Sequence, residues 1–172
     1  MDTQQRHQPP NWEEAKPFFR RDGMLRDIQC DGSLEAWRSW LRALVAASWS
    51  LEYRVRGESV SPSLDFPRAA PDDEATVLRI LLGAAGPQIN TFFYDPDEVD
   101  ADLAPEDFVA EEQWSELVKF LTLMGDVTGG EVRLSPEGDH RHPWLIYTPR
   151  QRVWTTIGDP ADHIVDYWEP RV

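Results

Sequence analysis

From Ser50 to Arg56 the chain alternates. Leu51, Tyr53 and Val55 point one way and Glu52, Arg54 and Arg56 the other, the period-two pattern of a half-buried strand. Upstream, "MLRDIQC" (24–30) reads as a strand entered through the Asp22-Gly23 turn signal. Between these two the period changes. Leu34, Trp37, Leu41, Leu44, Val45 and Ser48 recur at helical spacing behind Ser33, a suitable N-cap, which predicts an amphipathic helix with Trp40 about 80° off its apolar centre, at the rim. "TVLRILL" (76–82) is nearly continuous apolar and predicts a central strand, followed by a turn and a returning strand over 88–95. Val99, Ala101 and Leu103 then alternate with Glu98, Asp100 and Asp102, predicting a short edge strand with an acidic outer face. A second helix is expected over about 110–125, with Trp114, Leu117, Val118, Leu121 and Met124 as its stripe and Gly125 or Gly129 at its end. "EVRLSPEG", "PWLIYTP" and "RVWTTIG" close the chain as short strands.

Strands clustered between helices predict an α+β fold: a mainly antiparallel sheet with two amphipathic helices packed on one face. Residues 1–17, polar and carrying Pro9, Pro10 and Pro17, read as a flexible tail, and residues 18–172 as one domain. Residues 57–74, with Pro62, Pro67 and Pro71, read as a long loop.

Charge narrows the function. The chain holds 31 acidic and 17 basic side chains, net −14, which disfavours nucleic acid and anionic membrane as partners and favours a basic one, or serves solubility alone. Cys30 stands alone, so neither an intrachain disulfide nor a thiolate zinc site is expected. The N-terminal stretch has no apolar core segment, so a cytoplasmic protein is expected.

Candidate chemistry is sparse. His140 and His142 at i and i+2 could share a metal on one strand face, but no third ligand is marked and Pro143 follows, so an exposed loop before a strand is expected. Asp95, Asp97 and Glu106 fit positions 1, 3 and 12 of a calcium loop, yet Val99 and Asp100 fall at positions 5 and 6, where a ligand and a glycine are needed. No metal and no cofactor are expected. Paired carboxylates and eight tryptophans suit a small enzyme or a carbohydrate-binding domain, an alternative in which only Trp12, Trp40 and Trp168 look free to stack on sugar. No nucleophile elbow, zinc-protease helix or phosphate-binding glycine loop is present, and no catalytic residue is assigned.

The densest feature is "DPDEVDADLAPEDFVAEE" (95–112), nine carboxylates without one basic residue. Asp97, Glu98, Asp100, Asp102, Glu106 and Asp107 are the expected partner-binding surface, with Trp40, Phe120 or Tyr94 as aromatic anchors. A solvated strand protected from aggregation by its charges is the competing explanation.

The stretches "FFRRDGMLRDIQCDGSLEAWRSWLRAL" (18–44), "LRILLGAAGPQINTFFYDPDEVDADLAPEDF" (78–108) and "LTLMGDVTGGEVRLSPEG" (121–138) resemble a group of small bacterial proteins. These share an aromatic-x-x-Asp-Gly-x-Leu-Arg-Asp-Ile opening, a tryptophan-bearing helix and a strand pair ending in an acidic segment. Members resemble the immunity proteins that accompany secreted bacterial toxins. The resemblance carries over no active-site residue. It implies a cytoplasmic α+β protein that acts by binding, with a toxin domain as the partner.

Overall fold

The computed structural model describes residues 3–47, 49–55, 58–60, 77–83, 86–95 and 97–163. Among them, ten strands form one open antiparallel sheet, and the fold is α+β. The strands are β1 (Thr3–Arg6), β2 (Arg26–Asp31), β3 (Ser50–Val55), β4 (Glu58–Val60), β5 (Val77–Leu81), β6 (Gln88–Asp95), β7 (Glu98–Leu103), β8 (Val132–Pro136), β9 (Leu145–Thr148) and β10 (Val153–Ile157). The helices are α1 (Trp12–Ala15), α2 (Leu34–Ala46) and α3 (Glu111–Thr128). Across the sheet the order is β1-β10-β9-β8-β2-β7-β6-β5-β3-β4.

That order corrects the reading of the acidic strand. β7 is no edge; it lies between β2 and β6, hydrogen-bonded to both. Alternation alone does not distinguish an edge from a centre, because it reports which faces are wet and not how many neighbours pair. β5 is a central strand, as expected, paired with β6 on one side and β3 on the other; along it Leu78 and Ile80 are buried while Leu81 is exposed.

Residues expected as a tail belong to the fold. β1 pairs with β10 from Thr3↔Ile157 to Arg6↔Trp154, Asn11 caps α1 through a capping box, and the Trp114 indole donates to the Pro10 carbonyl at 2.8 Å. Phe18 and Phe19, in the 3₁₀ turn after α1, are buried against Trp144 and against Phe108 with Trp114. Prolines 9, 10 and 17 are corners in an ordered segment rather than signs of a loose one.

Both long helices pack on one face. Ser33 caps α2 by accepting from the Ala36 amide, as its position suggested. Its buried residues are Ala36, Trp37, Trp40, Leu41 and Leu44, whose centre is turned about 60° from the expected one at 100° per residue. Trp40 is therefore inside, 0% exposed and edge-on to Phe120 at 5.1 Å, while Val45 is 54% exposed. α3 buries Trp114, Leu117, Phe120, Leu121 and Met124 and ends at Gly129, whose φ of 74° is the left-handed cap glycine tolerates. Gly125 lies inside the helix, where the Tyr147 ring approaches too closely for a Cβ.

The aromatic-x-x-Asp-Gly-x-Leu-Arg-Asp-Ile stretch has a structural explanation. Arg26, 1% exposed, ion-pairs with buried Asp22 at 3.0 Å. Its remaining donors go to the carbonyls of Phe18, Arg20, Met24 and Leu25. Every guanidinium nitrogen is used, which is the condition under which a buried charge is tolerated. The motif is a clamp that holds the entry to β2.

Candidate functional site

Both faces of β2 and β7 are fixed by the register. Toward the helices lie Ile28 and Cys30 of β2 with Val99, Ala101 and Leu103 of β7, all buried. On the other face, Asp27 stands opposite Asp102, Gln29 opposite Asp100 and Asp31 opposite Glu98. The rows continue onto the flanking strands: Ser135 beside Asp27, Arg133 beside Gln29, Asn90 beside Asp102 and Phe92 beside Asp100. Directly opposed residues have Cβ atoms about 4.5–5.5 Å apart, so Asp27 and Asp102 are like charges in direct apposition.

Amides brace this ladder. The Asn90 amide donates to Asp102 Oδ1 at 2.8 Å and accepts from Gln88; the Gln29 amide donates to Asp100 Oδ1 at 3.3 Å. Asp27 Oδ2 accepts from the Gly138 amide at 2.8 Å, in the turn between β8 and β9, and lies 3.8 Å from His140 Nε2. That turn partly covers the ladder, and the Asp27 side chain is 17% exposed. Burial pushes the carboxyls of Asp27, Glu98, Asp100 and Asp102 above the ordinary carboxylate value, with neighbouring carboxylates adding to the rise at each. Among the described residues no lysine or arginine ion-pairs with Glu98, Asp100 or Asp102, and Arg133 is engaged by Asp31 and Glu131.

The residues expected to bind a partner do not all meet. Glu98, Asp100 and Asp102 share the open face. Asp97 is exposed in the turn before β7, its amide donating to Asp95 Oδ1. Glu106 and Asp107 lie past the other end of the strand in the 3₁₀ turn Pro105–Asp107, where Asp107 accepts from the Gln88 amide. Trp40 and Phe120 are core residues on the opposite side of the sheet and cannot serve as surface anchors. The Tyr94 side chain lies outside the described residues, as do Ser48, most of the 57–74 loop and Trp168. Asp27, Gln29 and Asn90 were missed. Asp27 and Gln29 flank Ile28 at period two, a signal that could have placed them on the wet face of β2.

The histidines behave as an exposed turn before β9. His142 Nδ1 lies 2.8 Å from Asp139 Oδ1, and buried His163 bridges the carbonyls of His142 and Ile157. No three His, Cys, Asp or Glu side chains among the described residues gather as a metal would require. Burial pushes the Cys30 thiol up to about 11, so it is an inert core group bonded to Thr128.

A separate cleft of about 520 Å³ opens where Gly83 faces the start of α3, lined by Glu111, Glu112, Glu116 and Lys119. Glu116 accepts from Lys119 and from the Trp49 indole, and the Lys119 bond first of all holds its carboxyl below the usual value. A carboxylate held ionised is a poor general acid. No described tryptophan is exposed as a sugar platform; Trp37, Trp40, Trp114, Trp144 and Trp154 are buried, and Trp12 and Trp49 pack against the core.

Comparisons with protein families, curated proteins and solved structures found no match to this chain. No helix among the described residues is long and apolar enough to cross a membrane.

Proposed function

We propose that this protein acts by binding a basic protein partner through the open face of its sheet, in the manner of the immunity proteins that neutralise secreted bacterial toxins. One observation carries the reading. Asp27, Glu98, Asp100 and Asp102 crowd the middle of a sheet face, lifted above their ordinary pKa by burial and by one another, with no arginine or lysine among the described residues paired to the last three. A ladder of this kind costs the free protein stability, and a cationic surface laid over it removes that cost. The charge that steers a basic partner also repels acidic ones. Were the partner a nuclease, the carboxylates would stand where its phosphates bind.

The test is affinity capture from the native host with two baits, the wild type and the Asp100→Asn/Asp102→Asn double variant, followed by association kinetics with the purified partner. The wild type should retain a basic protein whose association slows steeply as salt rises, because screening shortens from about 10 Å at 0.1 M to about 3 Å at 1 M. The double variant should associate more slowly at low salt and show a flatter salt dependence. An acidic or neutral partner, or equal rates for the two baits, defeats the reading.

A further inference from the structure

Gln29 is the least explained member of the ladder. It is 6% exposed, its side-chain nitrogen is committed to Asp100, and its Oε1 is buried without a hydrogen-bond partner. The amide cannot be turned round to cure this, since the nitrogen would then be the orphan and Asp100 would face an oxygen. On the row beside it, Ser135 Oγ is likewise buried and unpartnered, next to Asp27. A buried carbonyl left unpaired is costly, and a group that donates to it removes that cost. Asp100 Oδ2 and Asp102 Oδ2 also accept nothing from the described residues. Arg133, beside Gln29 on β8, turns its Nε and Nη2 to Glu131 and Asp31, so apart from the Ser135 hydroxyl, which can itself donate, this patch offers mainly acceptors.

The ligand that answers such a set must bring several N–H groups, carry positive charge and shed water easily. An ammonium is strongly hydrated and acts as a point charge; a guanidinium is weakly hydrated and offers five donors in a planar fork. We infer that the patch formed by Gln29, Asp100 and Asp102 is an arginine site, taking one guanidinium of the partner, which donates to the Asp100 carboxylate and, once the Gln29 side chain turns outward, to its Oε1. This rests on the proposed basic partner and adds to it the identity of the anchoring side chain. Phe92, the partner of Asp100 on β6, flanks the site with an aromatic side chain of the kind arginine most often accompanies. His140, half-exposed and 3.8 Å from Asp27, borders the patch from the turn between β8 and β9.

The test uses the full ¹⁵N-labelled chain and two peptides of equal length, one with arginine and one with lysine at each basic position. Both should shift backbone amides of β2 and β7. The arginine peptide should bind about tenfold more tightly, the factor of one hydrogen bond to a charged group, and should also shift the Gln29 side-chain amide pair. Gln29→Leu should abolish that preference while leaving the lysine peptide's affinity unchanged. Asp100→Asn keeps an acceptor for Gln29, so it guards against a folding defect in the first variant; it should weaken the arginine peptide more than the lysine peptide. Equal affinities for the two peptides, or a preference that survives both substitutions, would overturn the arginine site and leave a generally basic partner standing. Shifts that avoid β2 and β7 with both peptides would overturn the proposed function as well.

Discussion

Arg26 and Asp27 are neighbours in the chain and stand on opposite faces of β2. Arg26 faces inward, where Asp22 and four carbonyls satisfy it completely. Asp27 faces outward, where it meets Asp102 across the ladder and receives one backbone amide. The covered face completes the one charge it takes in, although the Trp40 and Trp144 indole nitrogens and the Thr91 hydroxyl are buried there without partners. The open face gathers acceptors and leaves several of them without donors. The difference between the faces is one of charge: inside, a buried cation meets its counter-ion, while outside, carboxylates stand opposite carboxylates, which is the feature the proposed partner would answer.

The sharpest break in the comparison is inside. Asp22→Ala should strand the Arg26 charge and cost about 3–5 kcal/mol, as loss of one partner from a buried pair does. Trp40→Ala should cost about as much, because it empties a fully buried site against Phe120. A rim residue would cost under about 0.5 kcal/mol. Denaturant unfolding of both variants decides the matter, and a small loss in either would mean the covered face is looser than its packing implies.

A smaller effect tests how tightly that face is closed. At Gly125 a Cβ would come within 2.8 Å of Tyr147 Cδ1. The ring cannot easily yield, since it packs at a tilt against Trp154 with centroids 4.6 Å apart and its hydroxyl donates to Asp126. Gly125→Ala gains up to about 1 kcal/mol of helix propensity but overpacks at a cost of about 1–3 kcal/mol. A net loss in melting temperature is expected, and a more stable variant would show the α3–β9 contact to be adjustable.

How much of this could be read from the chain differs between the faces. Period-two alternation placed Glu98, Asp100 and Asp102 on one side of a strand, and helical spacing found both amphipathic helices. The centre of the α2 stripe was missed because Leu34 and Val45 are apolar in sequence yet exposed at the surface, which pulled the expected centre away from Trp40. Strand order was not legible. Nothing local says that β7 will lie between β2 and β6, since neighbours in a sheet are chosen by long-range pairing. The same blindness hid Asp27 and Gln29 as partners of Asp102 and Asp100, some seventy positions away along the chain, and made an ordered N-terminal strand look like a tail.

The smallest change in stability carries the most information about the open face. Asp100→Asn/Asp102→Asn leaves oxygens to accept from Gln29 and Asn90 and removes two crowded charges. At neutral pH the double variant should equal the wild type or exceed it by up to about 1 kcal/mol, the scale of a cross-strand charge pair. Acid should then reverse the ranking's direction of travel. Burial raises the folded-state pKa of both carboxyls above the unfolded one, so between the two values the native protein holds more protons than the unfolded chain. Their contribution to wild-type stability is therefore fully present below the ordinary carboxylate value near 4 and is lost as pH rises through the folded values. The wild type should gain on the double variant as pH falls from 7 toward 4, measured as the difference between their unfolding free energies at each step. A gap that stays constant over that range would mean Asp100 and Asp102 titrate as ordinary solvated carboxylates, and the open face would then hold no stored repulsion for a partner to relieve.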